Sequence, residues 1–230
     1  MENIFLNNDY CKVIDGKLAY IYRNAINEIP IIKKQKISIN NIKYIGFQNI
    51  KYNDKRMPQE KTVGFFLNDY RFKCICDRPW NYIVRLKQYK QVMTPDNSCY
   101  LDMPRYLQYE NIVKNRIIGK YLQSEGLTVI PTVTWGDEPT FDFCFKGIEK
   151  GSSVSISTIG TKKNYPYFIA GFKEMCKQLN PENVICYCTP YPEMFRYSNI
   201  IAIDYEGQQA IRNKQKLLRS GQLSLNLWEV

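Results

Sequence analysis

The sequence predicts an α/β protein whose parallel strands form an incomplete or distorted (β/α) barrel of about five to six strands. From residue 62 onward, short β-branched runs alternate with segments that have helical periodicity. Successive runs end in acidic, aromatic or hydroxyl-bearing residues. Since barrels build their sites from the ends of several strands, this repeated ending favours a barrel over the alternative, a doubly wound open sheet.

The first 60 residues are predicted to be a strand-rich N-terminal extension, and residues 61–230 the main α/β domain. The extension contains two candidate strands, at 17–22 and 29–40. Residues 51–61 combine Asp, Pro and several charges, which is typical of an exposed linker. We therefore place the domain boundary at this segment.

The main domain is predicted to alternate strands with helical segments. The strands are expected at 63–70, 98–104, 128–137, 153–160 and 183–188. The helical segments are expected at 79–92, 105–124, 140–147 and 167–179. The longest of them has its apolar side chains on one face and ends before Gly126. A candidate sixth strand at 199–205 precedes a basic helix at 208–220.

The composition indicates a folded protein in the cytoplasm. Hydrophobic residues make up 44% of the chain, which excludes a disordered protein. No stretch approaches the roughly 20 apolar residues of a membrane helix, and the N-terminus lacks the features of a signal peptide. We therefore expect a cytoplasmic protein without a membrane partner.

Eight cysteines and the absence of histidine limit the chemistry that the chain can support. The Cys74–Cys76 and Cys186–Cys188 pairs lack the spacing of zinc knuckles, so we expect buried, reduced thiols. Without histidine, a Ser-His-Asp triad, a Cys-His pair and a histidine-liganded metal are all excluded. Proton transfer near neutral pH must use carboxylates, Lys, Tyr or Cys.

The net charge of +10 is distributed unevenly along the chain. Residues 111–150 contain equal numbers of acidic and basic side chains, whereas the segments on either side are basic. A basic surface around a neutral centre suits a nucleic acid or another phosphate-bearing ligand. The alternative is that the lysines reflect an A/T-biased genome and only keep the surface soluble.

Three aspartates are predicted to meet at one end of the strands and are the candidate catalytic residues. Asp69, Asp102 and Asp137 each follow a predicted strand. Such carboxylates could share general acid and base roles or bind Mg²⁺ or Mn²⁺. The alternative is that each caps a helix or forms a turn.

Four further residues are candidates for binding substrate at the same end. Trp135 could stack on a sugar or base ring, or could close the end of the barrel as a structural lid. Ser157 and Thr158 end a strand and could bind phosphate, although no phosphate-loop spacing accompanies them. Asp96 is a further acid in this region.

Two basic segments are the candidate nucleic-acid contacts. They contribute Arg85, Lys87, Lys90, Arg212, Lys214, Lys216 and Arg219. Cations with aromatic residues nearby suit a phosphate backbone with unstacked bases. A solvated outer helix face would have the same composition.

Six ordered segments between residues 62 and 190 carry a family resemblance. They are Gly64–Phe72, Pro95–Asp96, Tyr100–Pro104, Val129–Asp137, Phe141–Gly147 and Gly151–Val154. Together they resemble an uncharacterised domain family found in bacteria, their phages and other mobile elements. The resemblance implies a phage or mobile-element protein in a host cell, and it assigns no activity.

The sequence therefore predicts a phage or mobile-element protein that acts on or binds nucleic acid or nucleotides. The basic surface would hold phosphates, and the acidic end of the strands would carry the chemistry. Whether the protein is an enzyme stays open at this point. The alternatives are a non-catalytic protein that binds a host factor and an enzyme acting on a small sugar or phosphosugar.

Overall fold

A computed structural model describes residues 29–204, which form seven strands and five α-helices. The strands are β1 (Lys43–Gly46), β2 (Lys61–Gly64), β3 (Gln91–Met93), β4 (Val129–Ile130), β5 (Val154–Ser157), β6 (Val184–Tyr187) and β7 (Ile200–Ile203). The helices are α1 (Lys73–Asp77), α2 (Ile83–Leu86), α3 (Arg105–Ser124), α4 (Phe141–Cys144) and α5 (Tyr165–Leu179).

The strands pair in parallel in two sheets, and neighbours in each sheet are consecutive in the chain. The first sheet has the order β1-β2-β3-β4 and the second the order β5-β6-β7. A parallel bridge between Thr132 and Ser155 joins the segment after β4 to β5. The prediction of an α/β protein with parallel sheets is therefore confirmed.

The two long helices, α3 and α5, were predicted from the sequence. Helix α3 has the predicted bounds, and Gly126 follows its end with a φ of +83°, a conformation that favours glycine. Helix α5 ends at Leu179, and the next residue, Asn180, is also left-handed and donates its N–H to the carbonyl of Cys176. Both apolar faces pack against the sheets, as their periodicity indicates.

The second strand was predicted at the wrong place. The chain at 98–104 is a loop, and the strand is β3, which the sequence assigned to the end of a helix at 79–92. All three residues of β3 are buried between β2 and β4. The helical part of this segment ends at Leu86, because the last residues form hydrogen bonds within the sheet instead.

The N-terminal section contributes to the same sheet as the residues that follow it. Strand β1, which was not predicted, pairs with β2 from Lys43–Lys61 to Gly46–Gly64. Farther upstream, Ile32 is fully buried and forms a bridge with Ile148. The predicted strand at 17–22 and the basic helix at 208–220 lie outside the described residues.

The two sheets share an apolar interior. This cluster contains Phe66, Met93, Ile130, Ile185, Tyr187 and Ile203. Its members follow or belong to β2, β3 and β4 of the first sheet and β6 and β7 of the second. The helices cover the outer faces of the sheets through two further clusters.

No helix within residues 29–204 is long and apolar enough to cross a membrane.

Candidate functional site

A cleft of about 890 Å³ lies where the strands end. Its walls come from the segments that follow β1, β2, β3, β4 and β5, together with the last residue of β6. Each of these segments leaves its sheet at the carboxyl end of a parallel strand. In parallel α/β folds, this is the end at which sites are built.

Aromatic side chains form much of the cleft. Phe66 and Tyr187 stack with their ring centroids 4.7 Å apart, and Tyr100 and Tyr167 at the entrance are more than half exposed. Trp135 lies between the cleft and α5, where a side chain on Gly171 would come within 2.1 Å of the indole. Flat apolar rings of this kind suit a ligand that contains a ring.

Trp135 has features of both roles that the sequence left open. Its indole lies 5.2 Å from the ring of Phe168 and 6.1 Å from that of Phe145, so it packs in the core. It is nevertheless half-buried and lines the cleft. The side chain is therefore fixed by its neighbours while part of its surface faces the cleft.

Asp96 is the carboxylate with the most unusual surroundings in the cleft. It is half-buried, and no side chain or backbone group within residues 29–204 donates a hydrogen bond to its carboxylate. Burial, with a smaller contribution from the negative charge of Asp69, raises the pKa of Asp96 to about 7. Near neutral pH this group therefore exists in both protonation states.

The loop that carries Asp96 is held by side chains that bind its backbone. Asn115 donates to the carbonyl of Pro95 at 2.6 Å, and Asn111 donates to the carbonyl of Ser98 at 2.8 Å. Asp69 accepts hydrogen bonds from the backbone N–H and the hydroxyl of Ser98, at 3.0 and 2.7 Å. The side chain of Asp69 thus fixes the loop, as in the structural alternative that the sequence left open.

The other two predicted acids have different surroundings. Asp137 forms an ion pair with Arg105 at 2.9 Å, and this hydrogen-bonded guanidinium lowers the pKa of the carboxyl. Asp102 is exposed at the cleft wall. Within residues 29–204, no group of three or more Cys, Asp or Glu side chains is placed to hold a metal ion. The structure therefore does not bring Asp69, Asp102 and Asp137 together as a metal site.

The two predicted hydroxyl groups differ in accessibility. Ser157 lines the cleft and accepts a hydrogen bond from the backbone N–H of Ile159 at 3.1 Å. Thr158 is buried, and its hydroxyl donates to the carbonyl of Thr189 at 2.9 Å. Only Ser157 is therefore open to a ligand in the cleft.

The predicted basic helix lies at the opposite end of the strands. Lys90 directly precedes β3, and its backbone N–H donates to the carbonyl of Lys61 at the start of β2. Arg85 stacks on the rings of Tyr52 and Tyr82, each at 4.5 Å, and Lys87 pairs with Glu125. Arg212, Lys214, Lys216 and Arg219 lie outside the described residues.

Arg71 is a cleft residue that sequence reasoning did not identify. It follows β2, lines the cleft and is exposed, and its guanidinium has no hydrogen-bond or ion-pair partner within residues 29–204. It is the last residue of a short turn at Asp69–Arg71, and a single arginine in a turn gives no sequence pattern that would have identified it. Tyr100 and Tyr167 were missed as well, because exposed tyrosines are common on loops.

Comparison with known proteins places the chain in a family. It matches the family described as Domain of unknown function (DUF4417) over residues 21–206, and it belongs to that family. It is also 40% identical to the Gene 1 protein of Mycobacterium phage L5 over 148 residues, and 38% identical to the Gene 1 protein of Mycobacterium phage D29 over 129 residues. These matches cover 63% and 55% of this chain.

The matched region spans 65% of the length of the L5 protein and 48% of that of the D29 protein. No solved structure is significantly similar to the chain. The prediction of an uncharacterised phage domain family is therefore confirmed, and the family carries no assigned activity.

Proposed function

We propose that this member of the phage family is an enzyme that acts on a nucleotide, or on a nucleotide unit of a nucleic acid, bound in the cleft. Asp96 would transfer the proton. The observation that carries the proposal is the state of this carboxyl group, which faces the cleft without a hydrogen-bond donor among the described residues and has a pKa of about 7.

A carboxyl group with this pKa is suited to general acid–base catalysis. The best catalytic acid or base has a pKa near the working pH, because both protonation states are then populated. The chain contains no histidine, so another group must take this role near neutral pH. Carboxylates with strongly raised pKa values are found preferentially at active sites.

The remaining features of the cleft support a nucleotide as substrate. The rings of Trp135, Tyr100 and Tyr167 offer surfaces on which a base can stack. The guanidinium of Arg71, which has no partner among the described residues, could bind a phosphate through two hydrogen bonds. A net charge of +10 attracts anionic ligands at long range.

The strand order supports an open (β/α) barrel as the scaffold of this site. Consecutive strands are neighbours within both sheets, and the Thr132–Ser155 bridge continues the same order across the junction. Residues from both sheets meet in one interior cluster. In a barrel of this kind, the loops at the carboxyl end all face one mouth, which is where Asp96 lies.

The test uses the purified full chain with nucleoside 5′-monophosphates and a fluorescent single-stranded oligonucleotide. Binding is measured at low salt, and turnover is followed by mass spectrometry of the products. The Asp96→Asn variant should bind within about threefold of wild type but lose turnover by at least about 100-fold, as expected for a general acid or base.

Asp77→Asn is the matched control, because Asp77 is exposed and pairs with Lys73 away from the cleft. It should keep both binding and turnover. The proposal fails if no nucleotide or oligonucleotide binds at low salt. It also fails if Asp96→Asn turns over substrate as fast as the control.

A phosphosugar is the second candidate substrate, because the exposed ring of Tyr100 and the guanidinium of Arg71 also suit a sugar that carries a phosphate. The same binding measurement with sugar phosphates that lack a base separates the two. Tighter binding of the nucleotide by at least about tenfold favours the leading proposal, since base stacking contributes about 1–3 kcal/mol.

A further inference from the structure

Three exposed tyrosines lie beside the cleft on the side of the first sheet. Tyr70, Tyr100 and Tyr106 are 73%, 63% and 70% exposed. They belong to the turn after β2, the loop after β3 and the first turn of α3. Several large rings left in water at one end of a protein indicate a surface that binds a partner.

Hydrogen bonds join the segments that carry these rings. The turn that holds Tyr70 is tied to the β3 loop, because the carboxylate of Asp69 accepts a hydrogen bond from the hydroxyl of Ser98 at 2.7 Å. The loop is tied to α3, because the side chain of Gln108 donates to the carbonyl of Tyr100 at 2.6 Å. The three tyrosines therefore lie on connected segments and form one surface.

The second sheet contributes apolar groups to the other side of the cleft. Tyr167, in the first turn of α5, is 52% exposed and lines the cleft, as does Ile159, which is 48% exposed. The hydroxyl of Thr161 donates to the carbonyl of Thr158 and lies 2.8 Å from the hydroxyl of Tyr191, which holds this segment. Exposed rings are therefore present on both sides of the cleft.

Exposed cations accompany the rings on both sides. Arg71 lies on the side of the first sheet, and Lys162 and Lys163 lie between β5 and α5. All three are exposed, and none of their side chains has a hydrogen-bond or ion-pair partner within residues 29–204. Cations on segments of two different sheets suit a chain of phosphates better than the phosphate group of a single nucleotide.

Two of the rings lie beyond the reach of a ligand confined to the cleft. Tyr70 and Tyr106 are not among the residues that line it. A single nucleotide bound in the cleft would leave both rings in water, whereas a longer ligand would cover them. Bases stack on aromatic side chains only when they are unpaired, since the bases of a duplex already stack on one another.

We propose that this end of the protein binds single-stranded nucleic acid, with one nucleotide in the cleft and its neighbours stacked on the exposed tyrosines. Arg71 and the two lysines bind phosphates on the two sides of the cleft. The inference rests on the function proposed above, and it narrows the substrate to a nucleotide within a single strand. The predicted contacts Arg85, Lys87 and Lys90 lie at the opposite end of the strands.

The test measures binding of the purified full chain at low salt to a labelled single strand of about 12 nucleotides, a length within the usual range of sites for single strands. A duplex of the same sequence and a nucleoside 5′-monophosphate serve as competitors. The single strand should bind at least about 25-fold tighter than the monophosphate, because two stacked bases contribute about fivefold each or more. It should bind at least about tenfold tighter than the duplex. DNA and RNA strands are both measured, and the tighter one identifies the sugar.

Variants of the outer rings separate the strand from the nucleotide. Tyr70→Ala and Tyr106→Ala should each weaken binding of the single strand by at least about fivefold, and leave binding of the monophosphate within about twofold. Tyr52→Ala is the matched control, because Tyr52 is 60% exposed but stacks on Arg85 at the other end of the strands. It should bind both ligands as wild type does.

The salt dependence tests the cations. Three phosphate contacts predict a slope of about −2 for the logarithm of the binding constant against that of the salt concentration. Lys162→Gln should make this slope shallower by about 0.7. Lys150→Gln should not change it, because Lys150 is exposed in the turn before β5, at the other end of that strand.

Two failures are distinguishable. If the monophosphate binds but the single strand binds no tighter, or if the duplex binds equally well, this inference is overturned and the proposed enzyme acts on free nucleotides. The inference is also overturned if Tyr70→Ala and Tyr106→Ala bind the strand as tightly as Tyr52→Ala does. If neither the strand nor the monophosphate binds, the proposed function fails together with it.

Discussion

The loop after β3 and the turn after β4 each place an aspartate at the same end of the sheets, yet the two carboxyl groups have opposite properties. Asp96, in the β3 loop, has a pKa of about 7 and no hydrogen-bond donor among the described residues. Asp137, in the β4 turn, pairs with Arg105, which lowers the pKa of its carboxyl group. The difference lies in whether the carboxyl group itself has a partner among the described residues.

In the β3 loop, side chains other than that of Asp96 form the hydrogen bonds to the backbone, so the carboxyl group of Asp96 does not hold the loop. Asn115, Asn111 and Asp69 bind the backbone on either side of it. In the β4 turn, the carboxylate itself connects to α3 through Arg105. An acidic side chain becomes available for chemistry when other side chains hold its loop in position. This is the pre-organisation that active sites require.

The largest effect should come from removing the support of the β3 loop. Asn115→Ala leaves the Pro95 carbonyl, the Thr94 hydroxyl and the Arg116 guanidinium each without one partner. At about 1–3 kcal/mol for each buried group, we expect a loss of about 3–5 kcal/mol in the free energy of unfolding, measured by urea denaturation.

Asn111→Ala is the matched control for this change. Asn111 is half-buried and donates to the Ser98 carbonyl, so its loss should cost about 1 kcal/mol. Equal costs for the two variants would mean that the Asn115 network does not hold the loop, and would remove the contrast between the two segments.

The next effect concerns the pH dependence of stability. The pKa of Asp96 is about 7 in the folded protein against 3.8 as the ordinary value, so the folded state binds more protons between these pH values. Its contribution to stability is therefore present below about pH 4 and is lost as the pH rises to about 7. Asp96→Asn should be more stable than wild type at pH 8 by about 1–4 kcal/mol.

The advantage of Asp96→Asn should disappear at pH 4, where the carboxyl group is protonated in both states. Urea denaturation of both proteins across this range gives the comparison. An advantage that does not vary with pH would show that the carboxyl group of Asp96 is not buried as described.

The smallest effect is expected at Asp137, and with the opposite sign. The pKa of Asp137 is lowered in the folded state, so its ion pair stabilises the protein at pH values above the ordinary carboxyl pKa of about 4. This contribution to stability is lost as the pH falls further. Asp137→Asn should cost at most about 1 kcal/mol at neutral pH, because the pair is partly exposed.

A double-mutant cycle with Arg105→Gln measures the coupling between Arg105 and Asp137 directly, and salt should weaken it. A coupling well above 1 kcal/mol would make the Asp137 turn as strongly held as the Asp96 loop. The two segments would then differ in the partner of the acid and not in the strength of the support.

Features that depend on local interactions could be predicted from the sequence, and features that depend on distant contacts could not. Helix α3 and its end at Gly126 were predicted, since periodicity and a left-handed glycine are local features. Strand β3 was missed, because three residues give no period, and their burial between β2 and β4 depends on distant parts of the chain. Because β3 was not predicted, the predicted helix at 79–92 was also too long, and it ends at Leu86 in the structure.

The candidate site shows the same limit. Four of the predicted residues, Asp96, Asp102, Trp135 and Ser157, do line one cleft, because residues that follow parallel strands collect at one end. The sequence ranked Asp96 below three other acids, and nothing local distinguishes it from them. Arg71 was not identified, since a single arginine after a strand has no pattern.

By itself, the sequence determined the α/β class, the strong helices, the exclusion of histidine chemistry and the family, all of which depend on composition, periodicity and ordered motifs. Only the tertiary structure decided that, within residues 29–204, Asp96 is left without a hydrogen-bond donor and Arg116 is buried without a carboxylate partner. The physical reason is that a pKa and a hydrogen bond depend on groups brought together across many residues, and spacing along the chain does not specify those neighbours.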